Sequence, residues 1–320
     1  MSLSRRALLS GLSSVAVLGC SSEPRLRASR VASAPAGRVV TGREALTVIP
    51  GIPTQDGAGV SLTRVIGQRA LDHLDPFLLL DELHSDEANA YIRGFPDHPH
   101  RGFETITVML EGRMRHRDSR GGHGLITGGG VQWMTAGRGL VHSEMPEQEE
   151  GMLWGFQLWL NLPRAEKMCA QQYQDLAPER IAEHRLASGG LLRAIAGEVL
   201  GVEGPVEPRA TAPVLLTATL RDESPLTIDL PRDHSAFVFV QDGEAEVGPE
   251  RRTTRVPQDH LAVLGPGTSL TIRARHERTG ILVAAARPLN EPIARRGPFV
   301  MSTQEELDQA FLDYRNGTLG

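Results

Sequence analysis

Phe95-Pro-Asp-His-Pro-His-Arg-Gly-Phe-Glu104 is the stretch on which the reading turns. Pro99 disfavours the helical region for His98 and favours an extended chain. In an extended chain residues i and i+2 face the same side, so His98 and His100 converge. Further on, Ala136-Gly-Arg-Gly-Leu-Val-His-Ser-Glu144 repeats the spacing with His142 and Glu144. Two such pairs on neighbouring strands inside a barrel would supply three imidazoles and a carboxylate, donors that suit a divalent first-row metal. Glu104 has the parity of His98 and His100 and competes with Glu144 for the carboxylate place. The other eight of the eleven histidines, His116 and His234 among them, lack such company and are read as ordinary core or surface residues.

Around this stretch the chain reads as short strands separated by turn residues. Phe103 to Leu110 is a strand by its β-branched content, Glu111-Gly112 turns it, and Met114 to His116 returns. Val131 to Met134 and Leu140 to His142 flank the Ala136-Gly-Arg-Gly139 turn, and Gly151 to Leu160 follows. The same grammar recurs in Ser235 to Val240, the Asp242-Gly243 turn, Glu244 to Val247, Leu261 to Leu264, and Ser269 to Ile272. Short strands with glycine turns predict a sandwich or barrel, and the echoed spacing suggests a duplicated unit. Ser302 is expected to open one helix, with Glu305 completing a capping box. Leu307, Ala310, Phe311 and Tyr314 form its apolar stripe, and Gly317 ends it.

The chain starts differently. In Met1-Ser-Leu-Ser-Arg-Arg6, Arg5 and Arg6 precede an uncharged, mostly apolar run from Ala7 to Gly19, a length that suits a signal-peptide core and is too short to span a bilayer. Val17-Leu-Gly-Cys20 resembles a bacterial lipobox, and Ser4-Arg-Arg-Ala-Leu-Leu9 resembles a twin-arginine signal. Residues 1–22 are therefore expected to be a signal peptide with a lipobox, residues 23–43 a flexible linker, and the protein an exported envelope lipoprotein on the periplasmic side, touching the membrane only through a lipid on Cys20. Cys169 would then stand alone, without an intrachain disulfide.

Composition sets limits. The hydrophobic fraction of 40% and charged fraction of 23% are those of a globular protein, which excludes a dominantly disordered chain. A net charge of -5 gives no general attraction to nucleic acid.

Several motifs together carry a family resemblance. Asp75-Pro-Phe-Leu-Leu-Leu-Asp-Glu82, Phe95 to Thr105, Gln132-Trp-Met-Thr-Ala-Gly-Arg-Gly139, His142-Ser-Glu-Met-Pro146, Leu158-Trp-Leu-Asn-Leu162 and Gly297-Pro-Phe-Val-Met301 resemble the pirin family, over roughly Leu46 to Asn316. The resemblance implies an all-β bicupin: two antiparallel β-sandwich barrels with a C-terminal helix. Residues 44–175 would form the metal-binding cupin, and residues 176–320 a cupin without metal ligands, plus the helix. It implies the ligands His98, His100, His142 and Glu144, leaving Glu104 to back the ligands or line the cavity. It favours iron(II), although the donor chemistry alone suits nickel, copper, manganese and zinc as well. The chain departs from the family in Gly128-Gly-Gly130, where Pro-Gly-Asp is usual. It departs again in the second half, where Asp229, Pro231 and Ser235 align with His98, His100 and Glu104 and His234 falls out of phase. An export signal is a further departure and argues against the nuclear coregulator role known in the family.

Some pirins are quercetin 2,3-dioxygenases, which implies a small aromatic substrate and O2 as partners; a monomer is expected. Four protein ligands on a six-coordinate metal leave two open positions, one for each. The metal would acidify the flavonol hydroxyl, and Glu144 would accept its proton. Trp133 is read as core, and in second place, with Met134, as cavity lining. Three functions follow. A dioxygenase needs a cavity that admits a planar ring. A non-catalytic iron-binding redox sensor or protein-binding regulator has a filled or narrow one. A relic kept as an envelope structural protein holds its metal weakly.

Overall fold

Phe103–Glu111 and Arg113–Asp118 are the anticipated successive strands, and Gly112 turns the chain between them at φ 89°, a conformation open to glycine and costly for other residues, but the two enter different sheets and do not pair. This computed structural model describes residues 41–207, 210–221 and 224–320; the leader, lipobox and most of the linker lie outside the described residues. The chain builds two β-sandwiches with one plan.

In the first, a seven-stranded antiparallel sheet runs Gln172–Leu176, Val131–Thr135, Phe103–Glu111, Leu153–Asn161, Phe77–Ser85, Val60–Ile66, Ile52–Asp56. A four-stranded sheet, Phe95–His100, Leu140–Pro146, Arg113–Asp118, His123–Thr127, lies over it. In the second, the large sheet runs Ala45–Pro50, His260–Leu264, Ser235–Asp242, Thr279–Ala286, Val214–Leu220, Leu191–Ala196, Ala182–Arg185. Its small sheet is Leu226–Asp229, Ser269–Ala274, Glu244–Val247, Thr254–Pro257. Matched position for position, the two orders agree, as duplication predicts.

The large sheets pack face to face. Phe77, Leu80, Trp133, Phe156 and Leu158 of the first share one buried cluster with Phe237, Phe239, Leu261 and Leu282 of the second. Phe77 meets Phe237 edge-on at 5.0 Å and Phe156 meets Phe239 at 5.9 Å. Each fully buried aromatic removes a large apolar area from water, worth about 1.5–3 kcal/mol. Trp133 is therefore core and does not line the cavity.

Strand pairing crosses the two halves at both ends. Ala45–Pro50 belongs to the second half's large sheet, where it pairs with His260–Leu264 and occupies the edge that Gln172–Leu176 fills in the first. Thr41 to Arg43, expected as the end of the linker, are held there too. The Arg43 amide donates to Ser269, and its buried guanidinium donates to the carbonyls of Gly265, Pro231 and His234. At the other end, Ala294–Arg296 and Phe299–Met301 return to the first half, with the Val300 amide donating to Arg101 O at 3.0 Å.

The helix spans Gln304–Arg315. Its N-cap is Thr303, whose hydroxyl accepts from the Glu306 amide while Glu306 reaches back. The capping box thus lies one residue later than the expected Ser302 and Glu305. Leu307 and Ala310 are its buried face, while Tyr314 is exposed.

Candidate metal centre

His98 and His142 sit directly opposite each other on paired strands, with His100 opposite Leu140. A register shift between His142 and Glu144 then brings Glu144 opposite Phe95. The result is a trio of imidazoles with ring centres 4.4, 4.7 and 4.9 Å apart. One nitrogen from each lies within 4.8 Å of the others. Among the described residues it is the only His, Cys, Asp or Glu group placed to share an ion.

Orientation is set from outside the trio. His98 Nδ1 is 2.8 Å from Pro96 O, and His100 Nδ1 is 3.3 Å from Pro298 O. A ring held at Nδ1 by a carbonyl carries its hydrogen there and turns a lone pair on Nε2 inward. Neither ring nitrogen of buried His142 has a hydrogen-bond partner. An orphaned buried polar atom costs about 1–3 kcal/mol, which a bound ion would relieve. Burial, and then neighbouring imidazoles, push His100 and His142 well below the usual histidine range. Both are therefore neutral and free to ligate. On these observations the residues fit a divalent metal.

Glu144 stands beside the trio. Its Oε2 is 4.0 Å from His142 Nε2, and its Oε1 lies 3.0 Å from the Thr107 hydroxyl. Burial raises its carboxyl pKa, opposed by His98 and Thr107. Glu104 is elsewhere. It pairs with Leu160 across the sheet and accepts from Thr135 Oγ1 at 2.7 Å. Strand alternation puts it with Ile106 and Val108, facing the second half, whereas Thr107 and Met109 line the cavity. Of the two expected roles, lining is not the one it has, since it is not among the residues that face the cavity.

A cavity of about 650 Å³ opens onto His98, His100 and Glu144. Leu79, Leu83, Met109, Met114, Phe156 and Trp159 supply apolar wall; Gln157, Arg64, Asp81 and Arg295 supply polar wall. Trp159 and Phe103 each meet the His100 ring edge-on, at 5.2 and 5.0 Å. His116, read as an ordinary histidine, is buried directly opposite Glu144, its Nε2 3.5 Å from Asp175 Oδ2. The alternation of Arg113, Arg115 and Arg117 with Met114 and His116 was the available signal that it points inward.

The second barrel has no such centre among its described residues. Its interior is aliphatic, with Leu226, Ile228, Leu270 and Ile272 on the two strands that match in sheet order those carrying the histidines in the first. His234 is bound to Ala212 O and Asp233 instead.

Two cupin sandwiches back to back, one enclosing a histidine trio and the other filled with aliphatic side chains, define a bicupin with one candidate metal centre. The chain belongs to the pirin family: residues 59–160 match Pirin and residues 215–320 match the Pirin C-terminal cupin domain. It is 44% identical, over 87% of its length and 98% of the relative's, to a Pseudomonas aeruginosa protein that bears the provisional name of a quercetin 2,3-dioxygenase. It is 40% identical to human pirin over 83% of its own length and 90% of that protein's. Among solved structures, a quercetin 2,3-dioxygenase from Acinetobacter baumannii superposes with a TM-score of 0.79 at 33% identity, covering 87% of this chain and 98% of that one.

Proposed function

We propose that this protein is a metal-dependent dioxygenase of the quercetin 2,3-dioxygenase type, opening the ring of a flavonol-like substrate with O2. The observation that carries the reading is the cavity. It is within the size range of small-molecule sites, largely apolar, and opens onto the histidine trio at His98 and His100, beside the buried carboxyl of Glu144. The names borne by the P. aeruginosa and A. baumannii relatives support it.

His98, His100 and His142, with Glu144, would hold the ion, for which iron(II) is the first candidate. When bound, the metal would supply Lewis acidity toward a substrate hydroxyl and redox chemistry toward O2. The remaining work falls to the chain. Pro96 O and Pro298 O fix two imidazoles. Glu144, its carboxyl pKa raised by burial, takes the substrate's hydroxyl proton at Oε2 while Oε1 stays with Thr107. Leu79, Met109 and Phe156 exclude water from the ring. A non-catalytic iron-binding redox sensor would need a filled or narrow pocket, and the open one favours turnover.

Anaerobic purification, elemental analysis, and oxygen uptake with a flavonol panel test this together. One metal per chain is expected, with O2 consumed and carbon monoxide released. His142→Ala should lose most of the metal, and Glu144→Gln should slow turnover about 10²-fold. Full metal content without oxygen uptake on any flavonol would reject the enzyme.

We infer from the leader that the chain is exported, lipidated on Cys20, and carried folded with its metal by the twin-arginine route. Replacing Arg5 and Arg6 by lysine should leave it in the cytoplasmic fraction; undiminished export would reject the route.

A further inference from the structure

The polar wall of the cavity contains two guanidinium groups in different states. Arg64 is neutralised: Nε and Nη2 donate to the two oxygens of Asp81 at 2.9 and 2.7 Å, and Nη2 also reaches Asp56 at 2.7 Å. Arg295 has no carboxylate within 4.0 Å among the described residues. Its one hydrogen bond runs from Nη1 to Leu78 O at 2.8 Å. The guanidinium carbon is 5.1 Å from the centre of the Trp159 indole, which also meets the His100 ring edge-on at 5.2 Å. Arg295, Trp159 and His100 all line the cavity, and the Trp159 indole touches both the guanidinium and a histidine of the metal centre.

Charge is therefore distributed unevenly along the pocket. Asp97 and Glu144 put carboxylates at the histidine end, and Asp56 and Asp81 are taken up by Arg64. Arg295 is left as the cation with no carboxylate paired to it among the described residues. Burial lowers its pKa, which Asp72 and Asp81 offset only at a distance. A half-buried guanidinium with unused coplanar N–H donors matches a carboxylate, sulfonate or sulfate bidentately. The apolar wall between accepts a flat ring.

We propose that Arg295 determines specificity, and that the natural ligand is a planar hydroxylated aromatic anion: hydroxyls toward the histidines, an acidic group on Arg295. The inference takes the pocket of the proposed dioxygenase as its site and narrows the substrate class.

Equilibrium binding to the metal-loaded, full-length protein tests it without turnover, through quenching of tryptophan fluorescence. The probes are 1,2-dihydroxyanthraquinone and its 3-sulfonate. The wild type is expected to bind the sulfonate about tenfold or more tightly than the neutral probe, the worth of a charge-assisted hydrogen bond. Arg295→Gln should bring the two affinities together, with the neutral probe little changed. Arg295→Lys, which keeps the charge and loses the fork, should retain part of the preference and covers the case in which the glutamine variant folds poorly. Arg296→Gln, whose native side chain pairs with Asp308 on the terminal helix, should leave the ratio intact. No preference in the wild type, or an undiminished one in Arg295→Gln, would overturn the proposal. Preserved charge selection with no oxygen uptake on any flavonol would instead sink the dioxygenase and leave this site standing.

Discussion

Glu82 is buried, yet it carries an ionisable group that accepts a hydrogen bond from Trp154 Nε1 at 2.8 Å. Desolvation pushes its carboxyl up to about 8, and the charge of Asp259 acts in the same direction. Between its ordinary value of 4.5 and about 8 the folded chain keeps a proton that the unfolded chain has released. The associated stability is complete below 4.5 and is lost as pH rises through about 8, by about 1.4 kcal/mol for each pH step of one across that window. Glu82→Gln, which mimics the protonated form, should melt like the wild type at low pH and at a clearly higher temperature in alkaline buffer. Thermal melts at both ends of the range check this, and an identical offset at each would falsify it. At this scale the sequence was most readable where a strand is unbroken. Pro99 keeps His98 and His100 in one extended run, so counting by twos found both. The same count failed for Glu104 because the chain turns at Gly102 (φ 89°) and enters the other sheet, where parity starts afresh.

Gly102 also governs an element. A Cβ built there would sit 2.0 Å from Val300 O, besides carrying a φ that L side chains rarely adopt. The terminal segment lies that close because three things tie it down. Lys167 Nζ donates to Gly102 O, Val300 O and Asn161 Oδ1; Arg101 pairs with Asp313 at 2.6 Å; and the Val300 amide donates to Arg101 O. Gly102→Ala should therefore cost more than about 1 kcal/mol. It should also weaken metal binding, since the displaced segment carries the Pro298 carbonyl that orients His100. Melting temperature and chelator competition measure the two effects, and wild-type values for both would refute the link. Local pattern placed the helix and the buried part of its apolar stripe, Leu307 and Ala310, but extended the stripe to Tyr314, which is exposed. It chose Ser302 over Thr303 because two adjacent hydroxyl residues, each followed by a glutamate three places on, read alike until backbone angles distinguish them.

For the whole molecule, the repeated strand order was legible as repeated spacing, because turn and strand chemistry are local. The exchange of ends was not. Ala45–Pro50 is a short edge strand, and nothing in its own residues says which sheet it will join. Each half is incomplete without the other: the second borrows its edge strand from the start of the chain, and the first borrows the segment behind His100 from its end. Residues 44–175 and 176–320 produced as separate chains should each fail to melt cooperatively, because the shared aromatic layer of Phe77, Phe156, Phe237 and Phe239 would be left in water. Mixing the two should restore a single transition by circular dichroism, and two independently cooperative fragments would contradict this. The returning end also orders events in time. A ribosome releases His98, His100 and His142 long before it adds Arg295 and Pro298, so a growing chain holds the imidazoles with their pocket unframed. Discrimination among ions and ligands begins only once translation has finished.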